Sequence, residues 1–484
     1  MDTIDALSEW VITIAGGFLL LLVATYACKF IHRAYFHPLS TVPGPKLAAT
    51  TSLWLAYHTF IGDECTVIFN LHKRYGPVLR VAPNDIDITD GDAIDPIYLA
   101  RGGFPKTQAY SKFDIDGHST IFSSLTLTER ASRAKAVAPL FSTASIRQSE
   151  PALAAVFDDF VERIRFEARA GHPVNVLNAA RCMAIDAVTT YLFQQRYGAL
   201  DEGSTTMSAS PFVDAYVGVG ALFNLVPGIC SDLIATAMEY WNATATTKTA
   251  FRLIDAYTSN LVKTPTPKSG SYQSRLLERQ ICEEQSRIEL KDVCFAGTDS
   301  TGMNMATIMW NLAKYPDVYA RLRQELHDSA ARHDDLTSCA YLRAVIREAL
   351  RLSWANPIRL PRVVPPEGWT FKGFFFPAGT SVGVAAFQLH QNEAVFPDAQ
   401  RFLPERWLQP TDAMLNDFFA FGKGTRACIA QNLGSAELTW ATIKVVQADL
   451  LQGARIVDDE IRILEWFNSR VKGEKILIQF DVRS

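Results

Sequence analysis

One cysteine has surroundings that prepare its sulfur for chemistry. It stands in the stretch Phe421-Gly422-Lys423-Gly424-Thr425-Arg426-Ala427-Cys428-Ile429-Ala430. Apolar residues recur at helical spacing from Ile429 onward, so we expect Cys428 at or beside a helix N-terminus. The partial positive charge there lowers the pKa of a thiol and favours the thiolate, the form that binds metals. Gly422 and Gly424 permit backbone angles closed to other residues and let a flat ligand approach, and Arg426 could bind a carboxylate of that ligand.

Two other interpretations of this stretch stay open from the residues alone. A lone cysteine is most often a small buried hydrophobic residue. Gly422, Gly424 and Ala427 also have the spacing of a dinucleotide-binding loop, which needs a preceding strand, a βαβ unit and an acidic residue about 20 positions further on. The run Phe418-Phe419-Ala420-Phe421 is too short and isolated to supply that unit, so the residues disfavour a nucleotide site.

The composition is that of a folded protein with a large apolar core. Of 484 residues, 48% are hydrophobic and 20% are charged, and the formal net charge is −4. This balance, without any long Lys/Arg run, excludes a disordered chain and argues against nucleic acid as a partner. The eight cysteines are scattered without Cys-x-x-Cys pairs, which suits reduced thiols on the cytosolic side better than disulfides or a zinc site.

The N-terminus carries a stretch long enough to cross a membrane. Residues 10–28 contain no charged side chain, and as a helix they would span about 28 Å, close to the thickness of a hydrocarbon core. Three acidic residues precede this stretch, and Lys29 and Arg33 follow it. The positive-inside rule therefore predicts a single-pass anchor with the bulk of the chain in the cytosol. The alternative, a cleaved signal peptide, should begin with basic residues.

These features divide the chain into three parts. We expect a transmembrane anchor over 10–28, a proline-rich hinge over 29–45 and one large domain over 46–484. Asn242 begins a formal glycosylation sequon, which a cytosolic domain would never present to the transferase.

Two further motifs stand upstream of the cysteine. The pattern of residues 289–315 predicts one long helix that ends before Pro316. The middle of this helix has the sequence Ala296-Gly297-Thr298-Asp299-Ser300-Thr301. These are poor helix formers, and their hydroxyls can bond back to main-chain carbonyls. Further on, Glu348 and Arg351 share one helical face, and Pro404-Glu405-Arg406-Trp407 follows. Each motif alone is most simply a flexible polar cluster or an ordinary ion pair.

Taken in order, these motifs resemble those of the cytochrome P-450 superfamily. Its cysteine loop reads Phe-x-x-Gly-x-Arg-x-Cys-x-Gly, and the chain departs from it only at Ala430, whose methyl group could crowd the haem edge. The resemblance runs from about residue 30 to the C-terminus. It implies a mainly α fold, the cytochrome P-450 fold, with small β-sheets, and a haem group (heme b) whose iron is ligated by the Cys428 thiolate.

The resemblance also implies roles for other residues. Asp299 and Ser300, or Thr301, would deliver protons above the haem. Glu348, Arg351 and Arg406 would form a buried network that braces the cysteine loop. The haem itself would be contacted by Phe421, Gly422, Gly424 and Arg426, and Arg362 would reach one of its propionates.

One residue that the family pattern requires is missing. The helix that ends before Ser142 normally carries an aromatic residue or His and then an Arg that reaches a haem propionate. These two positions hold Arg130 and Ala134. Arg130, Arg133 or Lys135 could substitute, and the sequence does not choose among them. The segment 104–131 before and into this helix is expected to be a long loop over the substrate.

The activity implied is insertion of one oxygen atom from O2 into a C–H or C=C bond of a lipophilic small molecule. Electrons would come from the NADPH-cytochrome P-450 reductase, with cytochrome b5 as an auxiliary partner, at the endoplasmic reticulum membrane. The stretch Phe36-His37-Pro38-Leu39-Ser40 within the hinge, the segment Arg359-Leu360-Pro361-Arg362 and the cysteine loop resemble those of fungal enzymes similar to trichodiene oxygenase. This favours a terpenoid, with polyketides or alkaloids next. A haem-thiolate isomerase or dehydratase, and a haem-binding sensor or carrier, are the alternatives.

Overall fold

The computed structural model of this protein describes residues 2–203, 209–225, 245–264 and 268–481. Within these ranges the chain is mainly helical, and its short strands form four small sheets, which confirms the predicted fold class. The helices are α1 Asp2–Ile31, α2 Lys46–Thr50, α3 Leu53–Ile61, α4 Glu64–Tyr75, α5 Leu127–Val137, α6 Thr143–Gln148, α7 Glu150–Ala168, α8 Val176–Val188, α9 Ala209–Val219, α10 Ala245–Lys263, α11 Tyr272–Glu278, α12 Glu283–Lys314, α13 Pro316–Ala331, α14 Ala340–Leu352, α15 Ala386–His390, α16 Asp412–Asp417 and α17 Gln431–Gln447. The strands are β1 Val78–Ala82, β2 Asp85–Ile88, β3 Val174–Asn175, β4 Arg362–Val363, β5 Trp369–Phe371, β6 Phe374–Phe376, β7 Ser381–Gly383, β8 Arg455–Ile456, β9 Ile463–Leu464, β10 Arg470–Val471 and β11 Leu477–Gln479.

The long helix α12 forms the axis of the core. It begins at Glu283, six residues before the predicted start, because acidic residues in its first turn favour a helix N-terminus. Helix α8, buried along its whole length, packs directly against it. Two glycines permit this approach: a Cβ on Gly297 would lie 3.0 Å from Val188, and one on Gly302 would lie 2.9 Å from the Arg181 backbone.

The polar middle of α12 stays helical. Thr298 Oγ1 donates a hydrogen bond to the Cys294 carbonyl at 2.5 Å, and Ser300 Oγ donates to the Ala296 carbonyl at 2.8 Å. The predicted back-bonding of hydroxyls to the main chain is therefore present, and it satisfies hydroxyl groups that are otherwise difficult to bury.

The largest sheet has the strand order β1-β2-β7-β4. Strands β1 and β2 form an antiparallel pair, β2 runs parallel to β7, and β4 is antiparallel to β7. The predicted strands near 78, 363, 370 and 381 are all present. Since β4 begins at Arg362, this sheet fixes that side chain next to the loop over residues 104–126, with Lys106 paired to Arg362 by an isolated β-bridge.

The N-terminal helix α1 carries exposed apolar side chains, among them Trp10 at 71% and Tyr26 at 68% exposure. By length and composition, residues 14–36 could cross a membrane, so the candidate span starts four residues later and ends eight residues later than predicted. Beyond it, Leu39 and Val42 are buried in the domain, and Arg80 donates to the Leu39 carbonyl at 3.4 Å. The hinge segment therefore packs onto the domain, and its boundaries stay a prediction.

The predicted loop over 104–131 ends earlier than expected. Thr126 caps α5 by accepting a hydrogen bond from the Glu129 N–H, so the helix begins at Leu127. Before it, residues 108–113 form a short 3₁₀ segment. The sequon at Asn242 lies outside the described residues.

Candidate active site

A large internal cavity lies between α12 and the loop that precedes α17. Of the predicted site residues, those that line it are Phe421, Gly422, Arg426, Cys428, Ser300 and Thr301. The network residues Glu348, Arg351 and Arg406 lie behind the cysteine loop, Gly424 packs against the chain near Tyr98, and Asp299 and Arg362 lie next to the lining. The structure thus brings the predicted residues together around one cavity.

The cysteine loop closes on itself. The Cys428 N–H donates to the Phe421 carbonyl at 2.9 Å, and α17 begins three residues after the cysteine. Gly422 and Gly424 have φ angles of +62° and +76°, and a Cβ on Gly424 would lie 1.8 Å from the Tyr98 carbonyl oxygen. Both glycines are therefore required by the turn, as predicted.

The cysteine side chain is accessible from the cavity, yet protein surrounds it on the other sides. Burial raises the pKa of the Cys428 thiol, and the N–H of Ala430 opposes this only in part. The expected lowering of this pKa by the helix terminus is therefore wrong for the thiol on its own. Binding of a metal cation to this sulfur would favour the thiolate, because metal binding displaces the thiol proton.

The alanine at the last motif position causes no backbone strain. Ala430 caps α17 with φ −94° and ψ 14°, angles that any residue adopts. Its methyl group lines the cavity. The departure from glycine changes the shape of the cavity floor and leaves the loop geometry intact.

The predicted network is present and buried. Arg351 donates to both carboxylate oxygens of Glu348 at 2.8 and 2.9 Å, and Arg406 donates to the same carboxylate at 3.1 Å. The Leu403 N–H at 3.0 Å and the Trp407 indole at 2.7 Å complete its partners. Such a network is rigid because every member depends on the others for compensation of a buried charge.

His390 connects this network to the cysteine loop, and sequence reasoning missed it. Its Nδ1 donates to the Arg351 carbonyl at 3.0 Å, and its Nε2 accepts from the Phe419 N–H at 2.9 Å. Burial, with the Arg351 charge, lowers the pKa of His390 to about 3, so the ring is neutral and fixed in one tautomer. The ring also stacks on Phe418 at 5.6 Å. In the sequence, the only signal was a histidine that ends an apolar run.

The Asp299 carboxyl contacts α8 through Arg181 and is also hydrogen-bonded to Asn468, which lines the cavity. Arg181 Nη2 donates to its carboxylate at 3.2 Å and Arg181 Nη1 donates to Asp214 at 2.9 Å, all deeply buried. Burial raises the pKa of Asp299 to about 6, and Arg181 limits that rise. Sequence reasoning did not find Arg181, which lies 118 positions before its partner.

Ser300 and Thr301 differ in what they contact. Ser300 faces the cavity, whereas the Thr301 hydroxyl is buried and shares a hydrogen bond with the Glu437 carboxyl at 3.3 Å. Burial raises the pKa of Glu437 to about 8, so this carboxyl is protonated at neutral pH. Glu437 lies on α17, nine residues after the cysteine, and the sequence reading did not single it out.

Four basic side chains gather at one end of the cavity. Lys106, Arg130 and Arg426 line it, and the charge of the adjacent Arg362 helps to lower the pKa values of Lys106 and Arg426, after burial itself. Arg426 donates to the carbonyls of residues 124 and 125 at 2.9 and 3.0 Å. Arg362 donates to the Tyr110 hydroxyl at 2.9 Å. Such mutual repulsion in a partly buried site favours binding of an anionic group.

The three candidates for the missing arginine separate clearly. Arg133 is buried and paired with Glu289 at 2.9 Å, and Lys135 is exposed. Arg130 faces the cavity, and its guanidinium forms no hydrogen bond or salt bridge with any of the described residues. A thiol on the cavity floor and unpaired cations at its end fit a haem with its two carboxylates. Lys106, a further cation that fits, follows no motif in the sequence.

Comparison with known proteins agrees with this arrangement. The family model for Cytochrome P450 matches residues 43–451. The chain is 36% identical over 502 residues to cytochrome P450 monooxygenase mfmF of Annulohypoxylon moriforme, covering 97% of this chain and 100% of that protein. It is 27% identical over 457 residues to fusicoccadiene C-8 hydroxylase of Alternaria brassicicola, covering 87% and 86% of the two chains. It is 30% identical over 465 residues to cytochrome P450 monooxygenase hkm5 of Aspergillus hancockii, covering 90% and 89%.

These matches confirm the resemblance seen in the sequence. A family match over most of the chain and fungal monooxygenases that align from end to end place this protein in the cytochrome P450 family of haem-thiolate oxidoreductases, as a monooxygenase.

Proposed function

We propose that this chain is a membrane-anchored monooxygenase that inserts one oxygen atom from O2 into a terpenoid or a similar lipophilic secondary metabolite. The observation that carries the proposal is the position of the Cys428 thiol. It stands on the floor of a largely apolar cavity, and the hydroxyl-bearing turn of α12 at Ser300 lines the same cavity.

The cofactor would be heme b, and the Cys428 thiolate would bind its iron. When bound, haem supplies the binding and activation of dioxygen. The chain contributes cations for the two propionates, namely Arg426, Arg362, Arg130 and Lys106. Phe421 and Gly422 line the space beside the sulfur. Behind the loop, the Glu348 network and His390 keep the sulfur in one position.

Asp299 and Ser300 handle protons on the other side of the cavity. A carboxyl with a pKa of about 6 can both take up and release a proton near neutral pH. Arg181 holds this carboxyl beside α8. The Ser300 hydroxyl donates its proton to the Ala296 carbonyl, so its lone pairs are available to water in the cavity. We infer that Asp299 would exchange protons with water in the cavity, and that the Ser300 oxygen would position this water by accepting a hydrogen bond from it. Thr301, bonded to Glu437, is the alternative hydroxyl.

The cavity lining favours a lipophilic substrate. Aromatic and aliphatic side chains dominate its upper part, among them Phe113, Ile115, Phe122, Phe295 and Phe467. A terpenoid skeleton fits such a surface because it has few polar groups to desolvate. The similarity to an enzyme named for hydroxylating fusicoccadiene, a diene, supports a hydrocarbon skeleton.

The partners and location follow from the same chemistry. The enzyme receives electrons from NADPH-cytochrome P-450 reductase, with cytochrome b5 as an auxiliary donor. The apolar stretch within α1 anchors the domain to the endoplasmic reticulum membrane with its catalytic domain in the cytosol.

The carbon monoxide difference spectrum of the reduced protein tests the haem-thiolate assignment. Wild type should give the red-shifted Soret band of a thiolate ligand, and Cys428→Ala should lose it. Cys282→Ala, which removes an exposed thiol elsewhere, is the matched control and should keep it. Product formation that depends on NADPH, reductase and O2 then separates a monooxygenase from an isomerase, a dehydratase, a sensor or a carrier. A wild-type spectrum without this band would refute the proposal.

A further inference from the structure

We propose that Asp292 forms a polar subsite for a hydroxyl group of the substrate, so that the enzyme accepts an apolar skeleton which already carries an alcohol. This inference rests on the proposed function, because it concerns the ligand of the same cavity. It narrows the substrate class from lipophilic molecules in general to hydroxylated ones.

Asp292 stands out because of where its carboxyl lies. It is on α12, about two turns before Asp299, and it lines the same cavity as the apolar residues Phe113, Ile121 and Phe295. Among the described lining residues, the only other carboxyl is that of Glu437, which bonds to Thr301 in the part of the cavity next to the cysteine loop. An acidic side chain in an aromatic wall costs stability unless something compensates it.

The protein compensates this carboxyl with one hydroxyl and two nearby positive charges, Lys106 and Arg133. The Thr120 hydroxyl bonds to the Asp292 carboxyl, and no basic group among the described residues forms a salt bridge with it. Both nearby bases have other partners: Arg133 pairs with Glu289 at 2.9 Å, and the Lys106 ammonium donates to the Phe122 carbonyl. A carboxylate can accept about four hydrogen bonds. Acceptor capacity therefore remains on Asp292, which lines the cavity.

The surroundings favour a neutral donor over a cationic one. Lys106 and Arg133 act on Asp292 as nearby positive charges; Glu289 balances Arg133, so an ammonium group bound there would be repelled mainly by Lys106. A hydroxyl group meets no such repulsion. Burial raises the pKa of Asp292 to about 6 despite these cations, so at neutral pH the group is mostly ionised and accepts a hydrogen bond.

Binding of matched probes to the haem-loaded, full-length protein tests this subsite. Phenylimidazoles with a para tail ending in methyl, hydroxyl or ammonium, each at two tail lengths, bind through the imidazole and report through the Soret shift. The measured quantity is the ratio of the affinity for the hydroxyl probe to the affinity for the methyl probe of the same length. At the better tail length, this ratio should be about tenfold larger in wild type than in Asp292→Leu. Asp292→Asn should retain part of this preference. Glu284→Gln, which changes an exposed acid on the same helix, should leave it unchanged.

Each outcome separates the two proposals. A normal carbon monoxide spectrum together with equal hydroxyl preference in wild type and Asp292→Leu, at both tail lengths, would overturn the subsite and leave the monooxygenase assignment standing. A larger gain for the ammonium tail than for the hydroxyl tail would overturn the choice of an alcohol. Loss of the spectrum in wild type would instead defeat the proposed function.

Discussion

Removal of the Glu348 carboxylate tests how the cysteine loop is held in place. This carboxylate is fully buried and accepts five hydrogen bonds: two from Arg351, and one each from Arg406, Leu403 and Trp407. In Glu348→Ala all five donors lose their acceptor at once. Arg351, also fully buried, keeps its bonds to the carbonyls of His390 and Ala399 but has no counter-charge left.

The expected cost follows from these contacts. Breaking a buried ion pair by removing one partner costs about 3–5 kcal/mol, and the orphaned Trp407 indole adds roughly 1–3 kcal/mol. A protein of this kind is stable by about 5–15 kcal/mol in total. Glu348→Ala should therefore fail to hold haem rather than merely turn over more slowly. Glu348→Gln keeps the shape of the side chain and one acceptor oxygen, so its haem content should lie between those of wild type and Glu348→Ala.

Haem content per polypeptide and the carbon monoxide spectrum of purified protein measure the effect. Glu162→Ala is the matched control, because Glu162 pairs with Arg165 at 2.7 Å with the same spacing of three residues. That pair is 62% and 41% exposed, so its loss should cost less than about 1 kcal/mol. A Glu348→Ala protein with full haem content and the melting temperature of the control would refute the reasoning.

Three further predictions concern other parts of the molecule. Lys106→Gln and Arg130→Gln should each speed haem transfer to apomyoglobin several-fold, and the double variant should speed it more. Lys135→Gln, which changes an exposed side chain, should leave the rate unchanged. Rates equal to that of wild type would exclude Lys106 and Arg130 as propionate partners. Asp299→Asn should lower reductase-dependent product formation about 100-fold with an intact carbon monoxide spectrum, and an unchanged rate would exclude it from proton delivery. Burial raises the pKa of Glu64 to about 7, so the folded state binds a proton that the unfolded chain has lost, and stability falls as pH rises from about 4.5 to 7. Glu64→Gln should remove this loss of stability, so its melting temperature should fall less between pH 5 and pH 8 than that of wild type. The same dependence of melting temperature on pH in both proteins would contradict the prediction.

The motifs that could be predicted from sequence are those whose chemistry is local. The cysteine loop needs glycines at fixed offsets and a helix directly after it, and the Glu348–Arg351 pair needs one helical turn. Both arrangements are short-range, so their residues appear side by side in the chain. The same holds for the hydroxyl cluster of α12, where the back-bonding partners are four residues away.

The residues that were missed act through long-range contacts. Arg181 reaches Asp299 because α8 packs on α12 at Gly302, and His390 reaches Phe419 across 29 residues. Lys106 joins Arg362 through a single β-bridge. None of these pairings has a sequence period, since each depends on how separate elements pack. The pKa of Cys428 was missed for a related reason: local charge suggested a low value, whereas the burial that decides it is a tertiary property.

The missing arginine at position 134 illustrates how packing can replace a motif. Ala134 is buried in the core, so a guanidinium there would have to leave the core to reach the cavity. Arg130 stands about one helical turn earlier on α5 and faces the cavity, and Lys106 approaches the same end from the loop beside Arg362. If haem binds as proposed, four basic side chains would face its two carboxylates, so the loss of one arginine would leave the charge balance favourable. The requirement is therefore for positive charge at one end of the cavity, which several elements can supply, and not for arginine at one position.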